Sequence, residues 1–252
     1  MSCGWVPAWQ TIYSDYIVLV GSIGWNITCG KKYGGACNSA PEDITSARLL
    51  LAHQLSDGVV MGGDAMGYYT AAHFFTNGTS DTNASNAVEA RYLQNLTSTR
   101  LEYSQYLVLG RLVRPPRLVS ASLPKASMCM YWGGTKCCDV ERPAMQLWLD
   151  ETTRTLALVA VNADPLPLTF SAEVDVVEVF IDSDSQSTGL SGVHPDEYDE
   201  RNVVATTCRS GVEWVVKVQP TGHSGAAYSA LLENLTIPAL SAIVVELRAA
   251  DI

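Results

Sequence analysis

Positive charge is what this chain has least of. Its 252 residues carry 16 Lys and Arg against 26 Asp and Glu, a net charge of −10 and a sequence pI of about 4.8. A chain of that balance is repelled by phosphate backbones, and no basic stripe with interleaved aromatics interrupts it, so no nucleic-acid partner is expected. Long apolar runs are missing too. A membrane helix needs roughly 18–20 apolar residues; the longest stretch here, Tyr16 to Ile27, is short and broken by glycines. No membrane span is expected. The opening residues MSCGWVPAWQ have neither a basic nor a clear apolar region, so no signal peptide is visible.

Several chemistries lack their signatures. GGDAMG has neither GxGxxG spacing nor a phosphate-loop lysine. There is no GxSxG elbow. His53 lies on an apolar helical pattern, and His194 and His223 lie in polar loops without a nucleophile signature. Cys137 and Cys138 are adjacent rather than spaced as a zinc pair, with no His near them. The stretch 182–200 holds Asp182, Asp184, Asp196, Glu197, Asp199 and Glu200, but their spacing matches no EF-hand and reads as a solvated loop. Neither a metal nor a cofactor is expected, and no repeat of 20–50 residues is visible.

What remains is 47% hydrophobic and 17% charged, with a mean hydropathy of +0.09, which describes a globular protein with ample core. Two features point to an extracellular or secretory-lumen setting. Sequons occur at Asn26, Asn77, Asn83, Asn95 and Asn234. There are seven cysteines, and Cys29 and Cys37 bracket a Gly-rich loop that a disulfide between them would close. Cys3, Cys129, Cys137, Cys138 and Cys208 have no partner assignable from sequence, and reduced thiols throughout remain the alternative.

Two halves differ in periodicity. Residues 1–118 mix buried-strand and helix signals. Ile17–Val20 and Val59–Met61 are short apolar runs stopped by glycines, as in strands covered on both faces. Between them, Asp43 is placed to cap a helix whose Ala47, Leu50, Leu51 and Leu55 share a face, ended by Asp57-Gly58. A second helix opens with Asn86 and Glu89 spaced as a capping box. It carries Tyr92, Leu96, Tyr103 and Leu107 along one stripe and stops at Gly110 before Arg114-Pro115-Pro116. Strand–helix alternation of this kind belongs to βα units on a parallel sheet. From 119 to 252 the pattern turns to short β-type runs: MCMYW, AMQLWL, TLALVAVN, LTFSAEV, VEVFID, VVATT, EWVVKV, AAYSALL and IVVEL. These predict an antiparallel β-sandwich. The expected fold is therefore α/β plus all-β. A full (β/α)₈ barrel takes about 200 residues or more, so residues 1–118 hold at most a partial barrel.

The loops at the expected mouth of such a partial barrel collect acids and aromatics. Asp64 follows VVMGG at a strand end, where a barrel carries its functional groups. Asp15 lies in VPAWQTIYSDYIVLVGS, just ahead of an apolar run. The plainer reading makes Asp64 a turn cap and Asp15 a buried, hydrogen-bonded acid. Trp25, Tyr68, Tyr69, His73, Phe74 and Phe75 fall in the two loops after the strands, and Trp9 and Tyr13 in the opening motif. Aromatic faces stack on the apolar side of a pyranose while polar groups hold its hydroxyls. Tyr13, Asp15, Trp25, Asp64, Tyr68, Tyr69 and His73 are the candidate substrate-binding residues. No pair of acids can be assigned to catalysis.

The order of PAWQTIYSDYIVLVG, HQLSDGVVMGG, ARYLQNLTSTRLEYSQYLVLGRLVRPPRL, ERPAMQLWLDETTRTLALVAVNADPLPLTFSAEVD and LTIPALSAIVVEL resembles the C-terminal part of a TIM-barrel glycoside-hydrolase-like family of unknown function, one with a β-sandwich tail. Gln10, Tyr13, Asp15 and Tyr16 match that family's strand motif, and Ser14 stands where it usually has His. The resemblance implies chemistry on sugars by two carboxylates carried on earlier strands. This chain then corresponds to the last barrel units plus the sandwich. It would be inactive alone and would need a missing N-terminal barrel portion or a partner chain. A non-catalytic carbohydrate-binding or accessory module is one alternative, and a structural or interaction domain is the other.

Overall fold

The computed structural model describes residues 41–59, 84–130, 136–176, 179, 202–207, 211–220 and 228–250. Among the described residues three helices come first: α1 (Pro41–Ser56), α2 (Ala84–Glu102) and the single turn α3 (Ser104–Leu107). Pro41 sits in the first turn of α1, where a missing N–H costs no hydrogen bond, so the helix starts two residues before Asp43. The expected stripe on α1 is only part of its buried surface. Leu49, Leu51, Ala52 and Leu55 are buried, as are His53, Gln54 and Ser56, while Leu50 is half-buried. The reason is enclosure: α1 touches strands on one side, a hairpin on another and α2 on a third. On α2 and α3 the expected stripe holds, with Tyr92, Leu96, Tyr103 and Leu107 buried and Tyr106 beside them. The Tyr92 hydroxyl donates to Arg48 O at 3.1 Å and ties the two long helices together. Gly110 ends the helical region because nothing larger fits: a Cβ there would lie 2.5 Å from Tyr106 O.

Eleven strands follow: β1 (Arg111–Leu112), β2 (Arg117–Ala121), β3 (Ala126–Met130), β4 (Lys136–Val140), β5 (Ala144–Asp150), β6 (Thr155–Asn162), β7 (Leu168–Asp175), β8 (Asn202–Thr207), β9 (Val212–Pro220), β10 (Tyr228–Ile237) and β11 (Ser241–Ala249). β3 and β4 form a hairpin of their own. The other nine make one curled sheet in the order β1-β5-β6-β11-β8-β9-β10-β7-β2. Every strand pairing among the described residues is antiparallel. β9 turns the sheet's corner. Its residues 212–217 pair with β8, and 218–220 pair with β10. The described residues are thus mostly antiparallel β with few helices. The expected parallel runs Ile17–Val20 and Val60–Met61 lie outside the described residues, as does nearly all of VEVFID.

The curl gives the sheet an inside and an outside. Inside, Leu147, Leu149, Leu156, Leu158 and Leu247 from β5, β6 and β11 meet Phe170, Val174, Leu232 and Ile237 from β7 and β10. Outside, the flank built from β5, β6 and β11 is covered by the helices and by the β3–β4 hairpin. There Trp148, Ala157, Val159, Val161 and Val244 pack against Leu55, Leu96, Tyr106, Leu107 and Met128. β6 contributes alternate residues to both cores, so its apolar run needs no polar face.

Candidate functional site

Tyr13, Asp15, Trp25, Asp64, Tyr68, Tyr69 and His73 all lie outside the described residues, as do Cys29, Cys37, Asn26, Asn77 and Asn83. In sequence, the segment carrying Asp64, Tyr68, Tyr69 and His73 departs after Val59. The described residues define how the chain is held at that departure.

α1 ends in a Schellman motif. Gly58 N donates to Leu55 O and Val59 N to Gln54 O, each at 2.9 Å, with Gly58 at φ +69°. These bonds satisfy carbonyls that the helix leaves unpaired, and the left-handed position favours glycine. Space demands glycine as well, since a Cβ would lie 2.6 Å from the Trp148 ring. Two other elements grip the same turn. From α2, Arg100 Nη1 donates to Gly58 O at 2.6 Å. From β5, Trp148 Nε1 donates to Ser56 O at 2.8 Å and Gln146 Nε2 to Asp57 Oδ1 at 3.0 Å.

The electrostatics are unusual for a helix end. Asp57 is 1% exposed and sits at a helix C-terminus, where the helix dipole disfavours negative charge. The Gln146 amide offsets part of that cost. Burial lowers the pKa of Arg100, whose guanidinium nonetheless stays charged. Burial also lowers the pKa of His53 to about 4, so its ring is neutral at pH 7. Gln146 Oε1 is buried and accepts no hydrogen bond among the described residues, a cost of about 1–3 kcal/mol.

Chemically, this cluster is an anchor. Asp57, His53 and Gln146 are all under one-tenth exposed, which closes them to a substrate. No group of three or more metal-ligating side chains occurs among the described residues. Glycoside hydrolysis needs two carboxylates flanking the scissile bond, and in this cluster Asp57 stands as a single buried acid.

A second polar hub lies at the β6–β7 loop. Asn162 Nδ2 donates to Leu166 O at 2.7 Å and Pro238 O at 3.1 Å, while its Oδ1 accepts from Asp164 N at 2.9 Å. Arg142 pairs with the Asp164 carboxylate, and Leu240 N donates to Asp164 O at 2.9 Å. Asn95 joins this hub from α2, its Nδ2 donating to Leu240 O at 3.2 Å. Asn234 is exposed on β10.

Reading the sequence for sites overlooked Arg100, Gln146, Trp148 and Asn162. The available signal was a polar residue inside an apolar run: Gln146 in AMQLWL and Asn162 closing TLALVAVN. Comparison of the chain with models of protein families, with curated proteins and with solved structures gave no match.

Proposed function

We propose that the chain is the C-terminal part of a glycoside-hydrolase-like, carbohydrate-active protein. In this reading α1 and α2 are helices of the last (β/α)-barrel units, the curled sheet is the β-sandwich tail, and this portion binds sugar without cleaving it. The observation that carries the reading is the doubly gripped turn at Asp57–Val59. Arg100 from α2 and Gln146 and Trp148 from β5 fix the backbone from which the Asp64–His73 segment departs. Binding groups work best when they spring from rigid, well-supported elements. Asp64 would hold sugar hydroxyls, with Tyr68 and Tyr69 stacking on the ring. Trp25 and Tyr13 would serve likewise, beside Asp15. An extracellular or lumenal setting belongs to the same proposal. The disulfide at Cys137 supports it, since structural disulfides persist in oxidising compartments.

The test is a glycan array probed with the full chain, followed by titration of any hit. Binding is expected, weakened roughly tenfold by Trp25→Ala or Tyr68→Ala through loss of stacking. Hydrolysis of chromogenic glycosides is expected to be absent. Silence across the array would sink the sugar reading. It would favour a structural or interaction domain, for which the exposed Leu101 and Leu109 on the helical layer, 72% and 82% accessible, are the supporting observation.

A further inference from the structure

Two sequons fall within the described residues, and their surroundings are opposite. Asn95 lies in the middle of α2, half-buried, between Leu96 and Tyr92, both fully buried. The atom a glycan would be joined to, Nδ2, faces the β10–β11 turn and donates to Leu240 O at 3.2 Å. A sugar there would have to enter the contact between α2 and the polar hub around Asp164.

Asn234 stands on the outer face of the uncovered flank. Leu232 pairs with Ala172 and Leu235 with Phe170, so Glu233 and Asn234 together oppose the single residue Ser171. That is a β-bulge. Asn234 takes the left-handed conformation, φ 55°, which Asn tolerates better than most residues. The backbone N–H of Asn234 is satisfied by Ser171 Oγ at 3.2 Å. The bulge turns the residue out of the pleat without leaving its own backbone donor unpaired. Thr236, the sequon hydroxyl, is exposed and lies 3.0 Å from the Thr169 hydroxyl. The neighbouring surface offers the hydroxyls of Ser122 and Ser171, with the exposed Leu231 further along β10.

We infer that Asn234 is an N-glycan acceptor and that Asn95 is not, although both satisfy the same three-residue rule. The donor is an oligosaccharide linked to a lipid pyrophosphate. Asn234 Nδ2 attacks C1 of its reducing-end sugar. The N–C1 bond forms and the C1–O bond breaks. The electron pair leaves with the lipid pyrophosphate, and the amide gives up one of its two protons to water. The inference rests on the lumenal setting proposed above and not on sugar binding by the protein.

The experiment is secretion of the full chain from eukaryotic cells behind a cleavable leader, with site-by-site glycopeptide mass spectrometry of the product. Glycan is expected on the Asn234 peptide and none on the Asn95 peptide. Thr236→Val keeps a strand-favouring residue and should remove one glycan step on a gel before and after deglycosylation. Asn234→Asp tolerates the same backbone and should remove the same step. Thr97→Val should change nothing. An unmodified Asn234 peptide in secreted protein, glycan on Asn95, or retention of an unglycosylated chain in the cell would each overturn the inference.

Discussion

β6 and β7 are both eight residues long, belong to one antiparallel sheet and face one interior, yet their sequences look unrelated. In TLALVAVN every residue after Thr155 is buried. In LTFSAEVD burial alternates strictly, with Leu168, Phe170, Ala172 and Val174 inside. The difference is in what lies outside. The flank of β5, β6 and β11 carries a second layer of helices and a hairpin, whereas β7, β10 and β2 present their outer face to water. Sheet type does not set the pattern of a strand; the number of its covered faces does. The polar groups divide the same way. On the covered flank they are buried single-purpose anchors such as Gln146 and Asp57. On the open flank they are exposed pairs such as Thr169 with Thr236 and Arg117 with Glu173.

The largest break in this contrast should come from removing the side chain that joins the covered flank to its helices. Trp148→Ala deletes a side chain 2% exposed and leaves Ser56 O without its donor. Chemical denaturation should show a loss of about 3–5 kcal/mol. A loss under about 1 kcal/mol would mean the helical layer is held by other contacts.

Acid should act next, and on the covered flank first. His53 has a folded pKa of about 4, lowered by burial from an ordinary 6.5. The unfolded chain therefore binds the extra proton between those values. The His53 contribution is fully present above about pH 6.5 and is lost as pH falls toward 4, by up to about 3 kcal/mol. On the open flank, hydrogen bonds from Arg117 and Ser229 and the charge of Arg117 and Arg114 lower the pKa of Glu173. Its contribution is present above the ordinary carboxylate pKa and is lost only as pH falls through the lowered value. Denaturation midpoints measured from pH 7 to 4 should fall for the native chain and much less for His53→Leu. Identical slopes would remove His53 from the account.

The most direct pair of substitutions is smaller still. Val159→Thr swaps a methyl for a hydroxyl of the same shape on a residue with no exposed surface, and should cost about 1–3 kcal/mol. Thr169→Val makes the reverse change on the open flank, losing one exposed hydroxyl pair, and should stay within about 0.5 kcal/mol. Equal costs would erase the distinction between the flanks.

Much of this sheet was legible in the residues. TLALVAVN predicts a strand at the bounds found and LTFSAEV one a residue short, because alternation and continuous burial leave different traces in sequence. The stripe on α2 was legible because that helix buries one face. The face of α1 was only partly so, because a helix enclosed on several sides buries residues all round. β1, β2 and β4 were missed: they are short or polar, RL, RLVSA and KCCDV, and become strands by pairing with distant partners rather than by local preference. The anchor at Asp57 was invisible for a similar reason. Asp57, Arg100 and Gln146 meet only through folding, and Asp57-Gly58 read simply as a helix stop.

Native-state hydrogen exchange tests the two-flank account most directly. Amides of Leu158 to Val161 on β6 should exchange only through global unfolding, and those of Val119 to Ala121 on the edge strand β2 at least about a hundredfold faster. If β2 proved as protected as β6, or β6 opened locally, the claim that the helical layer makes one flank the stable centre of the molecule would be contradicted.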